Sequence, residues 1–150
     1  RYFAEGTHVV SLDDDVEEVF RLRGDPEEMS HELEPLHAGG LVDVILDAPR
    51  KMARCGAFLW SLNVSDNPFF MKGGRACLRN GLCNGFFWGC LNRHRPDLLI
   101  QHGDGHEDVE RTARYFHADG AVLRYRELCA KTRCKTNSGG LQARMNKQER

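Results

Sequence analysis

The stretch Cys55–Cys90, CGAFLWSLNVSDNPFFMKGGRACLRNGLCNGFFWGC, dominates the apolar content of this 150-residue chain. It contains four of the six cysteines, both tryptophans and five of the eight phenylalanines. Cysteines spaced along such a run can cross-link a small core in an oxidising compartment. The stretch therefore predicts a disulfide-stapled core on which the rest of the chain folds.

Hydrophobic spacing in this stretch favours helices. Met52, Cys55, Leu59 and Leu62 recur at steps of three and four residues, which is the spacing of one helix face. Residues 84–91 are ambiguous, because they begin with an Asn-Gly pair that is typical of a hairpin turn. The apolar residues after that pair recur four apart, and on that ground we predict a helix there as well.

The rest of the chain gives a similar pattern of short helices separated by Gly, Pro and Asp signals. We predict helices at residues 12–23, 26–36, 41–48, 50–62, 68–80, 107–116 and 121–134. No alternating strand pattern is evident. The predicted fold is all-α, a disulfide-stabilised helical bundle of short helices. It forms a single domain over 1–134 with an acidic N-terminal arm over 1–40, followed by a disordered basic tail over 135–150.

Cysteine content favours a secreted protein. Six cysteines can form three bridges, and fifteen pairings are open; six free thiols in a reducing compartment are the alternative. Asn63 begins an Asn-Val-Ser triplet, which is an N-glycosylation acceptor. The chain opens at Arg1 and not at Met, which fits a mature form after signal-peptide removal, although a cleaved tag would look the same. No run reaches the roughly 18 apolar residues that span a bilayer, so we expect no membrane span.

Charge is distributed unevenly although the net charge is −1. Residues 1–50 carry 13 acids against 4 arginines, and residues 51–150 carry 9 acids against 17 bases. Such an asymmetry predicts an acidic arm folded on a basic body or a face for a charged partner, with solvated helix faces as the alternative. The basic C-terminal region has no aromatic stacking platform, so we expect no nucleic-acid partner.

Candidate chemistry is sparse. His102, Asp104 and His106 form a weak metal-like cluster, but the glycines between them disfavour the shared helix face that an HxxxH zinc site needs. Cys90 and His94 have the helical spacing of a thiol–imidazole pair, yet a cysteine in a disulfide is no nucleophile. The sequence therefore predicts no enzyme, no catalytic residue and no cofactor.

The cysteine-rich stretch resembles the stanniocalcin family. The matching residues are Cys55-x-x-Phe-Leu-Trp-Ser61, then Phe70-Met-Lys72, then Cys77-Leu-x-Asn-Gly81 and Phe86. The resemblance covers about a quarter of the chain, mainly residues 55–87, and it lacks the family's cysteine for covalent dimerisation. It implies a secreted, helical, disulfide-linked glycoprotein in which Cys77 bridges Cys129.

These observations lead to three predictions of function. The leading one is a secreted, stanniocalcin-like glycoprotein that acts as a hormone-like signalling or protease-inhibitory protein through surface recognition. Its partner would be a receptor or a metalloproteinase, and a homodimer is possible. The first alternative is a secreted toxin or effector on a stapled helical scaffold, and the second is an extracellular metal- or calcium-binding module. In the hypotheses that assume a disulfide-linked scaffold, the six structural cysteines are Cys55, Cys77, Cys83, Cys90, Cys129 and Cys134.

Overall fold

The structure is a computed structural model that describes residues 2–24, 32–72, 76–77, 81–102 and 105–133. Its strands are β1 His8–Leu12, β2 Val16–Arg23, β3 Glu32–Pro35, β4 Leu59–Asn63, β5 Ala76–Cys77, β6 Phe87–Leu91 and β7 Leu123–Thr132. Its helices are α1 Gly40–Cys55 and α2 Glu107–Asp119, with short 3-10 turns at Pro68–Phe70 and Pro96–Leu98.

Six of the strands form one mixed sheet in the order β1-β6-β4-β7-β2-β3, and β5 pairs with β7 beside it. Only the pairing of β4 with β7 is parallel among these ladders. Helix α1 covers one face of the sheet through Val44, Ala48 and Met52. Helix α2 covers the other face, where Tyr115 packs in a second apolar cluster. The sheet is therefore buried in its centre. β1 and β3 are the two end strands of the six-stranded path, and among the described residues β5 pairs only with β7.

The all-α prediction is wrong, and the error begins at Gly56. This glycine adopts a left-handed conformation with φ 70° and ends α1, as glycines after a helix commonly do. The chain then enters β4, whose five residues are all buried because β6 and β7 flank them and a helix layer covers each face. β4 reads Leu-Trp-Ser-Leu-Asn, and the three-residue step from Leu59 to Leu62 also fits the helical spacing that we had assigned to them.

Five further predicted helices contain strands. The described part of 26–36 includes β3, Glu32–Pro35, and the described part of 68–80 consists of the turn Pro68–Phe70, two further residues and β5, Ala76–Cys77. Residues 12–23 form the end of β1, a turn of three aspartates and β2, in which Val19 faces the α1 side and Leu22 the other. Residues 84–91 contain β6, so the hairpin signal of the Asn-Gly pair was closer to the structure than the helical spacing. The predicted basic helix at 121–134 is β7 over Leu123–Thr132.

The helix predictions at 41–48 and 107–116 are confirmed. Helix α1 runs from Gly40 through Pro49 to Cys55 without interruption. Helix α2 ends where the sequence predicts, since Gly120 adopts φ 70° and its N–H bonds to the carbonyl of Phe116. In both helices, a left-handed glycine provides a stop signal that does not depend on the surrounding fold.

The disulfide-stabilised core is also wrong for the described cysteines. Cys55, Cys83, Cys90 and Cys129 are free thiols. The bridge from Cys77 to Cys129 is therefore not formed, and β5 pairs Cys77 with Arg124, five residues away from Cys129 along β7. The side chain of Cys77, all of Cys134 and the predicted tail 135–150 lie outside the described residues. Ordinary packing of three apolar clusters holds this part of the chain together.

Candidate interaction surface

The outer edge of β1 is an open edge of the sheet. β1 pairs with β6 on one side, and no described segment pairs with its other side. Its sequence, His-Val-Val-Ser-Leu, contains no proline, lysine, arginine or acid. Natural sheets usually block an open edge with charge, proline or a bulge, because an open edge pairs with other chains. The open edge of β1 has none of these features.

Hydrogen-bond alternation identifies which groups of β1 point outward. The Asp13 N–H donates to the Phe86 carbonyl at 2.9 Å, so the odd-numbered residues face β6. In an antiparallel ladder the intervening residues turn their N–H and C=O away from the partner strand. His8, Val10 and Leu12 therefore present three donors and three acceptors along the outer edge, without a protein partner in the described residues.

A hydrogen bond between side chains anchors β1 to the core. Trp60 Nε1 donates to His8 Nε2 at 2.8 Å. Trp60 is fully buried and packs edge-on against Phe87 and Tyr125, with ring centroids 5.5 and 6.0 Å away. Partial burial lowers the pKa of His8, which favours the neutral ring that can accept this bond. The edge is thus held in place before any partner binds.

Gly89 of β6 makes room for this anchor. A Cβ at Gly89 would lie 2.7 Å from Trp60 Cε2 and 2.9 Å from the Val9 carbonyl oxygen. Real Cβ atoms do not make contacts this short, so any side chain here would displace Trp60 or β1. Gly89 is therefore required by the close packing of β1 on β6 and does not mark a turn.

Residues 2–7 lead into β1 and are tied to the loop after β6. Asn92 Nδ2 donates to the carbonyls of Phe3 and Ala4, both at 2.9 Å. The next residue, Arg93, forms a two-pronged ion pair with Asp119, at 2.7 and 2.6 Å. This pair is largely buried, with the Asp119 side chain 5% exposed, and the guanidinium stacks 3.9 Å above the ring of Phe58. Helix α2 therefore fixes the loop that supports the start of β1.

Two clefts lie at the ends of β1. A cleft of about 240 Å³ at its N-terminal end is lined by Tyr2, Phe3, Arg95 and Leu99, among others. A cleft of about 270 Å³ at its C-terminal end begins at Leu12, whose exposed fraction is 49%. An edge with clefts at both ends, each lined by apolar and polar side chains, can accept the side chains of an added strand.

The opposite edge, β3, has the usual protections. The Leu36 N–H donates to the Val19 carbonyl at 2.9 Å, so Leu33 and Pro35 are the β3 residues whose backbone points outward. Pro35 has no N–H to offer. Glu32 and Glu34 carry exposed carboxylates along the same strand, and Glu34 is paired with Arg23. Only one outward N–H, that of Leu33, remains on this edge.

A second exposed apolar feature is the turn Pro68–Phe70. Phe69 and Phe70 are 82% and 61% exposed, and their rings stack edge-to-face at 5.2 Å. Asn67 Oδ1 caps the turn by accepting from the Phe69 N–H at 3.0 Å. The pair stands outside the core, although its spacing in the sequence suggested core residues.

The described cysteines are buried or half-buried thiols. Burial raises the pKa of Cys83 to about 12 and that of Cys129 to about 11, and it also raises the pKa of Cys90. A thiol with a raised pKa carries little thiolate at neutral pH and is a poor nucleophile. Cys55 is half-buried at the end of α1, where its Sγ lies 3.5 Å from the Met52 carbonyl.

The predicted glycosylation and metal residues do not form a site in the described chain. Asn63 is 2% exposed, and its Nδ2 donates to the Ser65 carbonyl at 2.9 Å. A glycan could reach it only before β4 is folded, so glycosylation stays a prediction. His102 and His106 are exposed, Asp104 lies outside the described residues, and no group of three metal-binding side chains occurs within the described ones.

Sequence reasoning missed the β1 edge because it placed these residues in an acidic N-terminal arm and predicted no strand there. The signal was present in the β-branched pair Val9-Val10 and in the three aspartates that follow the strand.

The sequence also led us to expect no membrane-spanning segment. Within the described ranges, neither α1 nor α2 is long and apolar enough to cross a bilayer.

Comparisons with known proteins give no relative for this chain. No family model, no curated protein and no solved structure matches it. The stanniocalcin resemblance stays a prediction that these comparisons do not test. It implied a helical, disulfide-linked chain, whereas the described residues form a mixed sheet with two helices and four free thiols. The functional argument therefore starts from the surface of the sheet.

Proposed function

We propose that this chain is a non-catalytic recognition protein that binds an extended segment of a partner protein as an added strand on β1. The observation that carries the proposal is the open edge itself, with its outward N–H and C=O groups at His8, Val10 and Leu12. Addition of a strand to an open sheet edge gives affinity through main-chain hydrogen bonds, and side-chain pockets give specificity.

The surroundings of β1 support this role. The His8–Trp60 bond and the close approach of Gly89 hold the edge rigid, which lowers the entropy lost on binding. The two clefts can take side chains of the bound segment beyond the ends of β1. The proposal keeps the coarser part of the sequence hypothesis, which was surface recognition of a receptor or a metalloproteinase. No described feature favours the toxin or the metal-binding alternative.

A phage-displayed library of about ten-residue peptides tests the proposal, since a strand of that length spans β1 and both clefts. Calorimetry then measures the affinity of the selected peptides for wild type, Val10→Pro and Leu12→Pro. Each substitution removes one outward N–H. We expect each variant to weaken binding about tenfold, the cost of one or two main-chain hydrogen bonds.

The matched control is Leu33→Pro, which removes the outward N–H of β3. It should leave the affinity unchanged. Thermal unfolding checks that all three variants are folded, and Leu12→Pro serves if Val10→Pro is not, because Leu12 is at the end of the strand. Selected peptides that bind wild type and both β1 variants equally would contradict the proposal.

A further inference from the structure

We infer that the strand which β1 accepts comes from a second copy of this chain, so that two copies form one continuous sheet about a two-fold axis. The inference rests on the proposed function, because it identifies the partner for the same edge. It follows from the symmetry of the outward groups, the absence of blocking residues and the charge at the two ends of β1.

Antiparallel pairing of β1 with itself uses all of its outward groups. With Val10 opposite Val10 of the second copy, His8 lies opposite Leu12, and each opposed pair exchanges two hydrogen bonds. The three pairs then form about six hydrogen bonds. A two-fold axis makes the two contributions identical, as in most homodimers. A parallel pair cannot be symmetric in this way, because its hydrogen bonds are staggered between the two strands.

Charge favours the same arrangement. The turn after β1 carries Asp13, Asp14 and Asp15, and desolvation, together with repulsion from neighbouring carboxylates, raises the pKa of Asp13. Antiparallel pairing places the two acidic turns at opposite ends of the interface, about 17 Å apart for a five-residue strand. A parallel arrangement would place them side by side.

Each acidic turn would also meet a cationic loop. In the register centred on Val10, Asp14 lies opposite Gly6 of the second copy, and the Gly6 N–H bonds to the Asn92 carbonyl at 2.8 Å. Arg95 follows three residues later, with a side chain that is 43% exposed. Its present partner, Asp97, is itself exposed, and such a surface pair is weak enough to exchange.

The exposed apolar side chains at the ends of β1 are those expected of a surface that a second copy covers. Leu12, Phe3, Leu99 and Tyr2 are all exposed at the two ends of β1. Exposed apolar side chains clustered around an open strand mark an interaction site. β3 does not have the same potential, because Pro35 and two glutamates would oppose a second copy.

Sedimentation equilibrium between about 1 µM and about 500 µM tests the inference, a range that covers weak and moderate dimers. We expect the mass to rise from 17.1 kDa to twice that value with concentration. Val10→Pro and Leu12→Pro should each weaken the dimer about tenfold. Leu33→Pro should not change it.

Exchanging the charges of Asp14 and Arg95 tests the antiparallel orientation of the two copies. Asp14→Lys and Arg95→Glu should each weaken the dimer about twofold to fivefold, and the double variant should recover wild-type affinity. Glu32→Lys on β3 is the matched control and should have no effect. Failure of the double variant to recover the affinity would overturn the antiparallel arrangement.

Two outcomes overturn the inference as a whole. A dimer that both β1 proline variants leave intact would place the interface elsewhere. A protein that stays monomeric at every concentration would exclude the second copy as partner. The proposed function would then be decided by the selected peptides, whose loss of binding in Val10→Pro does not depend on dimerisation.

Discussion

The two edges of the sheet differ in ways that matter for function. β3 carries Glu32, Glu34 and Pro35 and offers one outward N–H, whereas β1 carries none of these residue types and offers three. Both strands are short, so length does not explain the difference. A sheet that blocks one edge and leaves the other open has the composition expected if the open edge is used.

The contacts that hold β1 and β3 in place differ as well. β1 is held by a buried tryptophan–histidine bond and by a loop fixed through the Arg93–Asp119 pair. β3 is held by its pairing with β2 and by the exposed Arg23–Glu34 pair. The open edge is therefore the more firmly supported one, as a binding surface requires. The following predictions test this difference.

The largest effect should come from the buried ion pair on the β1 side. Asp119→Ala leaves the Arg93 guanidinium buried without its partner, and we expect a loss of about 3–5 kcal/mol in the free energy of unfolding. Glu34→Ala removes the exposed pair beside β3 and should cost less than about 1 kcal/mol. Urea denaturation of both variants measures the two values. Similar losses in the two variants would contradict the difference in support.

A smaller effect is expected at Gly89. Gly89→Ala forces a Cβ against Trp60 and the Val9 carbonyl, and we expect a loss of about 1–3 kcal/mol from overpacking. Gly85→Ala is the matched control, because its Cβ would make only an ordinary contact, 3.7 Å from Asp108 Cβ. Denaturant unfolding compares the two. If Gly85→Ala cost as much as Gly89→Ala, close packing of β1 would not be the cause.

The smallest effect concerns the pH dependence of the β1 anchor. Burial lowers the pKa of His8, so the unfolded chain binds a proton more readily than the folded one. The stabilisation is present above the unfolded pKa of about 6.5 and is lost as pH falls below it towards the folded pKa. We expect a change below about 1 kcal/mol, because His8 is only partly buried.

The measurement is the difference in unfolding free energy between wild type and His8→Gln across pH 5–8. That difference isolates His8 from the other groups that titrate in the same range. It should shrink or change sign as the pH falls. A difference that grows towards low pH would mean that the folded protein favours protonated His8, contrary to the Trp60 hydrogen bond.

Some of the fold could be predicted from sequence because its signals were local. The glycine stop at Gly120 and the amphipathic spacing of α2 depend on neighbouring residues alone, whereas the equivalent stop at Gly56 was missed. β4 could not be recognised in the same way. Its burial between β6 and β7 depends on strands far along the chain, and the spacing of Leu59 and Leu62 fits a helix as well as a strand.

The candidate surface was less predictable than the fold. Whether β1 is an edge depends on the order of strands in the sheet, which places β6 and not β2 beside it. The cysteines were misleading, since their spacing suggested bridges although the four described ones with side chains are free thiols, three buried and one half-buried. The local signs were the uncharged, β-branched sequence of β1 and the three aspartates that follow it.

Amide hydrogen exchange resolved by residue is the most direct test of the open edge. In dilute protein, the N–H groups of His8, Val10 and Leu12 should exchange faster than those of Val9 and Ser11, which face β6. With rising protein concentration, or with a selected peptide, protection should increase at Val10 and stay unchanged at Leu33. Protection of Val10 equal to that of Val9 in the dilute monomer, or protection that appears at Leu33 and not at Val10, would contradict the account.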